Sequence, residues 1–275
     1  MKPVEKDIKA LLDLERIDTN IFRGQSQDIG TKQVFGGQVL GQAIAAAQMT
    51  ISDRSAHSVH AYFLRKGDFN APIIYEVDHS RDGRSFATRR VVAIQHGRPI
   101  FITSASFQIE EEGLDFYDPM VLPDLEKGFQ VPIPEGNGST KYKIAQYFDA
   151  RIIDPQNVAG KNQYKIWLRL REPLPEGADL HRSVLAYVSD FGLLISTLMP
   201  HGINLGTLHK VKDFILASID HAIWFHRPFT VNEWFFYECT PVSTFGSRGM
   251  ARGSFYNENG VLMASTAQEG LIRKV

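Results

Sequence analysis

The chain carries one set of landmarks twice. Ser58-Val59-His60-Ala61-Tyr62-Phe63 is answered by Ile219-Asp220-His221-Ala222-Ile223-Trp224, with His60 and His221 in matching places. Gly83-Arg84-Ser85-Phe86-Ala87-Thr88-Arg89 is answered by Gly246-Ser247-Arg248-Gly249-Met250-Ala251-Arg252, and Gly97 by Gly260. The spacing is 161 residues for the first pair (60 to 221) and 163 for the other two (83 to 246 and 97 to 260). A near-constant spacing over three landmarks indicates a duplicated unit of roughly a hundred residues. A chain of 275 residues has room for two such units and a connection.

Each unit reads as a buried helix followed by a sheet. In the first, residues 35–47 are Ala-rich and nearly uncharged, and a helix with so little polar surface belongs in a core. Before it lie a short amphipathic helix carrying Ile8, Leu11 and Leu12 and a strand at Ile21–Gln25. After it, residues 57–65, 73–80, 85–95 and 99–109 alternate and are rich in Val, Ile, Phe, Tyr and Thr, with turn signals such as Arg81-Asp82-Gly83 between them. In the third run Phe86, Thr88, Arg90, Val92 and Ile94 face one way, and Ala87, Arg89, Val91 and Ala93 the other. Period-two runs broken by Asp-Gly-type turns predict antiparallel hairpins. The second unit repeats the scheme: a strand at Tyr164–Arg171, a helix over Ser183–Ile195, and strands at 214–226, 234–242, 247–256 and 261–271. Between the units, Glu110-Glu111-Glu112-Gly113 and Pro119, Pro123, Pro132, Pro134 and Pro155 predict a linker with one short helix. The expected organisation is α+β with antiparallel sheets: an N-terminal unit at 1–110, a linker at 111–160 and a C-terminal unit at 161–275.

Charge narrows the class of partner. Thirty basic against thirty-one acidic residues argue against a dedicated nucleic-acid binder, which needs clustered Lys and Arg. The charge-free stretches Val34–Ser52 and Phe191–His209 approach membrane-span length, but the first holds three Gln and three Gly, and the second Pro200, Gly202 and Gly206. No membrane span is expected. The charged N-terminus lacks a secretory apolar segment, and Arg273-Lys274-Val275 is not a peroxisomal address. A cytoplasmic protein is the default. The single cysteine, Cys239, lies in an apolar run and reads as a buried, inert thiol.

Asp190 is the most informative residue, a carboxylate between Ala186-Tyr187-Val188 and Leu193-Leu194-Ile195 in a helix that otherwise reads as core. Such a group must be hydrogen-bonded, protonated or directed at a cleft. Ser218 and Gln268, on strands of the second unit, are uncharged partners suited to holding a water beside it. Each alone also reads as a satisfied core or edge residue. The histidines His181, His201, His209, His221 and His226 are dense, but without His-Glu-x-x-His spacing or a second cysteine no metal site is expected. His57 and His60 read as packed, with a general-base role open. Gly36-Gly37-x-x-x-Gly41 is no dinucleotide or phosphate-loop motif, and no Gly-x-Ser-x-Gly elbow exists. Gly37 and Gln38, near a helix start, offer N–H groups able to polarise a carbonyl.

Together these residues form recognisable blocks. Phe22-Arg23-Gly24-Gln25-Ser26, Val34 to Gln42 and His60 to Asp68 in the first half, with Tyr187-Val188-Ser189-Asp190, Ile219 to Pro228 and Ala264 to Gly270 in the second, run nearly end to end. In them the chain resembles the type II acyl-CoA thioesterases, the TesB-like group with bacterial and peroxisomal members. The resemblance implies a double hotdog, two tandem helix-wrapped antiparallel sheets. It also implies that Asp190, Ser218 and Gln268 activate a hydrolytic water on an acyl-CoA, with no cofactor. Several members carry Thr in place of Ser218, which keeps the hydroxyl. Gln42 is the first-half residue in the neighbourhood matching Asp190, which fits one active and one degenerate half. Association into a homodimer or homotetramer is implied as well.

Two other functions share the architecture. Hydration of enoyl-CoA would require an Asp-x-Asn-Pro-x-His signature, which is missing, and Asp220 and His221 point to opposite faces of a strand. A non-catalytic acyl-thioester binder would keep the architecture without turnover. His60 and Arg65 are the candidate substrate contacts, and Lys66, Arg89 and Arg90 are further bases for the CoA moiety.

Overall fold

The computed structural model describes residues 7–29, 33–132, 143–153, 162–203 and 205–275. A lead-in helix, α1 (Ile8–Leu12), buries Ile8, Leu11 and Leu12 and is capped by the Asp7 side chain. Two short strands follow, β1 (Glu15–Asp18) and β2 (Ile21–Gly24). The nearly uncharged run becomes α2 (Gly36–Gln48), which is buried along most of its length. Four strands then meander around it: β3 (Ser55–Phe63), β4 (Ile73–Asp82), β5 (Phe86–Gln95) and β6 (Arg98–Gln108). In β5 the buried positions are Ala87, Arg89, Val91, Ala93 and Gln95, the inward face that alternation predicts.

The proline-punctuated stretch is not wholly irregular. It carries β7 (Phe129–Gln130) and β8 (Phe148–Ile152), and β8 pairs antiparallel with β9 (Tyr164–Leu170). Proline keeps out of β8 itself, whose residues alternate buried and half-buried. The second central helix is α3 (Ala178–Ser189), followed after a break by α4 (Leu193–Ser196). The remaining strands are β10 (Phe214–Ser218), β11 (Asp220–Phe225), β12 (Phe235–Phe245), β13 (Arg248–Asn257) and β14 (Leu262–Lys274).

These strands form one continuous sheet in the order β1-β2-β4-β5-β6-β3-β11-β14-β13-β12-β9-β8-β7, with β10 also on β14. Read outward from the β3–β11 junction, the two arms match: β6, β5, β4 and β2 on one side, β14, β13, β12 and β9 on the other. The glycines of the duplicated landmarks occupy equivalent hairpins, Gly97 between β5 and β6 and Gly260 between β13 and β14, both at positive φ. This is the double hotdog that the sequence implies, its two sheets fused edge to edge.

The two central helices lie antiparallel, and glycine sets their separation. A Cβ at Gly37 would stand 2.1 Å from the Tyr187 carbonyl oxygen, and one at Gly41 2.8 Å from that of Ser183. The backbone of α3 therefore rests directly on the glycine face of α2, and the N-terminus of α2 meets the C-terminus of α3. The apolar run Asp179–His201 has the length and hydropathy of a membrane span, yet 72% of an apolar 18-residue stretch within it is buried inside the protein. It is also broken at Gly192, which takes φ 87°.

Candidate active site

The sequence places Asp190 inside a helix running to Ile195. The structure corrects this: α3 stops at Ser189, and Asp190 is its C-terminal cap. Phe191 and the left-handed Gly192 turn the chain before α4 begins. The break frees the Asp190 side chain from the helix surface and aims it at the start of α2. The strand read as 214–226 is likewise broken, at Ile219, so that Ser218 ends β10 and Asp220 begins β11.

Three side chains and one peptide meet there. Ser218 Oγ donates to Asp190 Oδ1 at 3.1 Å, and Gln268 Nε2 donates to the same oxygen at 2.5 Å. Gln268 Nε2 also lies 3.0 Å from Ser218 Oγ, closing a triangle. The Gly37 backbone N–H donates to the same carboxylate. Burial dominates the electrostatics and pushes the Asp190 carboxyl up to about 6, opposed by the bonds from Gln268, Ser218 and Gly37. A carboxylate of that pKa is ionised at neutral pH yet basic enough to accept a proton from water.

A cleft of about 240 Å³ borders this group at Ser218. Ser218 and Gly36 lie on its wall with Val34, Phe63 and Phe101, and Arg65 and Lys66 border it. An adjoining hollow shares Arg65 and Lys66 and adds Arg98, His96 and Asp68. Asp68 is paired with His96 and is held below the usual carboxylate range by the Asn70 backbone N–H, with His96 reinforcing.

The other sequence candidates are placed elsewhere. The Gln38 N–H is bonded to the Phe35 carbonyl at 3.1 Å, and its side chain bonds Gln25 and Gln27. His60 is exposed on the face of β3 away from the helices, with its ring edge-on to Trp224. Arg89 is no surface base; it is 2% exposed, pairs with Asp82 and donates to Thr50 Oγ1. Arg90 is exposed on the outer face of β5. Gln42 is mid-helix, with its amide bonded to Leu11, Gln25 and Tyr75. The residue of α2 equivalent to Asp190, its C-terminal cap, is Met49, so the first half lacks a carboxylate at this point.

The histidines are dispersed among separate partners. His181 Nδ1 accepts the Val231 N–H, His221 meets Ser189, His226 meets Ser265 and His201 meets Thr244; the His209 side chain lies outside the described residues. Among the described residues no three His, Cys, Asp or Glu side chains converge. Cys239 is fully buried, and burial pushes its thiol up.

Against known families, residues 141–271 match "Acyl-CoA thioesterase" and residues 23–108 match "Acyl-CoA thioesterase N-terminal domain". The chain belongs to the acyl-CoA thioesterase family. Acyl-CoA thioesterase 2 of Haemophilus influenzae is 40% identical to this member over 99% of each chain. Human acyl-coenzyme A thioesterase 8 is 37% identical over 97% of this chain and 88% of its own. The crystal structure of an acyl-CoA thioesterase II, TesB2, from Mycobacterium marinum superposes with a TM-score of 0.84 at 36% identity, covering 98% of both chains. The family is one of thioester hydrolases.

Proposed function

We propose that this thioesterase hydrolyses fatty acyl-CoA to a fatty acid and CoA by direct attack of water, with Asp190 as general base. The observation that carries this reading is the convergence of Ser218, Gln268 and Gly37 on one raised-pKa carboxylate beside a cleft that Ser218 lines. A water seated among these groups loses its proton to Asp190 as its oxygen bonds to the thioester carbonyl carbon. The C–S bond then breaks, and the CoA sulfur leaves as the thiol with the proton that Asp190 took from water, which restores the carboxylate. No covalent acyl-enzyme is required, in keeping with a chain whose one thiol is buried.

The negative charge that develops on the carbonyl oxygen needs a donor. The Gln38 N–H is bonded to the fixed Phe35 carbonyl, whereas the Gly37 N–H is bonded to Asp190, whose charge falls as it takes the proton, so Gly37 is the oxyanion donor of α2 in this reading. Gly37 exchanges Asp190 for the substrate oxygen during the reaction. The exchange is downhill, because Asp190 loses charge as it takes the proton while the substrate oxygen gains it. The phosphate-bearing part of CoA lies along Arg65 and Lys66, and the acyl group follows the apolar wall formed by Val34, Phe63 and Phe101. The outer face of the fused sheet associates with further copies into a homodimer or homotetramer.

Free-thiol release from acyl-CoAs of graded chain length tests the reading. Turnover with a chain-length optimum is expected. Tight binding of every acyl-CoA with no thiol released, by folded protein, would replace hydrolysis with a carrier function.

A further inference from the structure

Gln268 holds its carboxamide in one orientation only. Its Nε2 faces the Asp190 carboxylate, which accepts and does not donate, so Oε1 must point away. That Oε1 is buried and has no donor among the described residues. The neighbouring strand offers a second such atom. β11 and β14 pair Ala222 with Ala267, Ile223 with Thr266 and Phe225 with Ala264. Beyond Ala222 the register shifts, since Ile219 bonds Glu269 and Ser218 pairs with Gly270, so Gln268 lies opposite the Asp220–His221 step of β11. His221 and Gln268 are both buried, at 1% and 2% exposure, and lie side by side on neighbouring strands facing the helices.

The His221 tautomer follows from its other partner. Ser189 Oγ donates to the Ala186 carbonyl at 2.8 Å, so at its 2.9 Å contact with His221 Nε2 it accepts. The proton therefore sits on Nε2, and Nδ1 is a bare acceptor, buried and without a donor among the described residues. Burial pushes the imidazole down to about 3, so it brings no second proton at neutral pH. Two neighbouring buried acceptors cannot bond one another. One molecule with two hydrogens to give satisfies both.

We propose that His221 is a positioning residue for Gln268, the two joined by a buried water that donates to His221 Nδ1 and Gln268 Oε1. The water fixes the roll of the carboxamide, and with it the direction in which Nε2 faces Asp190. This rests on the reading of Gln268 as part of the water-activating group.

The test is a double-mutant cycle on acyl-CoA hydrolysis with three His221 variants. His221→Phe lowers kcat about tenfold, the scale of one buried hydrogen bond, with KM nearly unchanged. The same change in a Gln268→Ala background costs nothing further. His221→Asn, which keeps an acceptor near the Nδ1 position, restores most of kcat, whereas His221→Gln, which keeps the donor toward Ser189, does not. Nitrogen-15 NMR of the folded wild type shows Nε2 protonated and Nδ1 bare, and this readout stands even where a variant fails to fold. Wild-type kcat in His221→Phe, an equal loss in both backgrounds, rescue by Gln and not Asn, or a proton on Nδ1 would each overturn the proposal. Full activity in Asp190→Asn is a different result, and would remove the reading of the site itself.

Discussion

The Asp190 carboxylate, at the C-terminal end of α3, accepts the backbone N–H of Gly37 at the N-terminal end of α2. The two antiparallel helices thus meet at these ends, the negative pole of one beside the positive pole of the other. The carboxylate sits where its own helix disfavours charge and its neighbour favours it. Burial settles the contest upward, to a pKa of about 6.

Gly37 has no room for a side chain. With the Tyr187 carbonyl oxygen 2.1 Å from an added Cβ, Gly37→Ala must push α2 off α3. A loss of about 3 kcal/mol in denaturant unfolding is expected, with activity falling as the Asp190–Gly37 contact opens. Wild-type stability in this variant would contradict the packing described.

Ser218 contributes its hydroxyl to Asp190. Ser218→Ala is expected to lower kcat about tenfold, on the scale of one hydrogen bond to a charged group. Ser218→Thr keeps the hydroxyl and should stay within about twofold of wild type, the added methyl restricting the rotamer. Steady-state kinetics of the two variants check the pair, and equal losses in both would show that the hydroxyl is not what matters.

Arg65 borders both the cleft and the hollow beside it. Arg65→Ala should raise KM for acyl-CoA several-fold and leave kcat unchanged, because the phosphates are held equally in ground and transition states. The effect should shrink in high salt, as exposed charges are screened. A KM that stays at the wild-type value at low salt would place the phosphates elsewhere.

Asp190 also marks a conflict between function and stability. Its folded pKa, about 6, lies above the ordinary carboxylate value of 3.8, so between about 4 and 6 the folded chain binds more protons than the unfolded one. Its contribution to stability is therefore present at low pH and is lost as pH rises through about 6. Asp190→Asn removes that loss, and should be more stable than wild type at pH 8 by on the order of 2 kcal/mol and no more stable near pH 3. Thermal unfolding at the two pH values measures this.

Much of this was legible in the residues. The duplicated landmarks predict the paired arms of the sheet, and the nearly uncharged helix after Phe35 predicts a core element. The alternation in β5 puts Arg89 on the inward face, so its burial was readable there even though its charge suggested a surface base. The helix break at Asp190 was harder to see, because Leu193-Leu194-Ile195 continue the apolar pattern and only Gly192 signals a left-handed turn. β8 was hidden because proline density on either side of it reads as irregular chain. The nearness of Gln268 to His221 depends on a strand register that shifts beside Ile219, and such a shift is fixed by tertiary packing rather than by local pattern.

The most direct test of the central claim is the pH dependence of kcat/KM for acyl-CoA hydrolysis, for wild type and Asp190→Asn side by side. The wild-type rate is expected to rise through an acid limb near pH 6, as the carboxylate ionises. A loss of about a hundredfold or more is expected in the Asn variant, the scale of a general base. A folded Asp190→Asn with wild-type turnover, or a wild-type rate flat from pH 4 to 8, would contradict that claim.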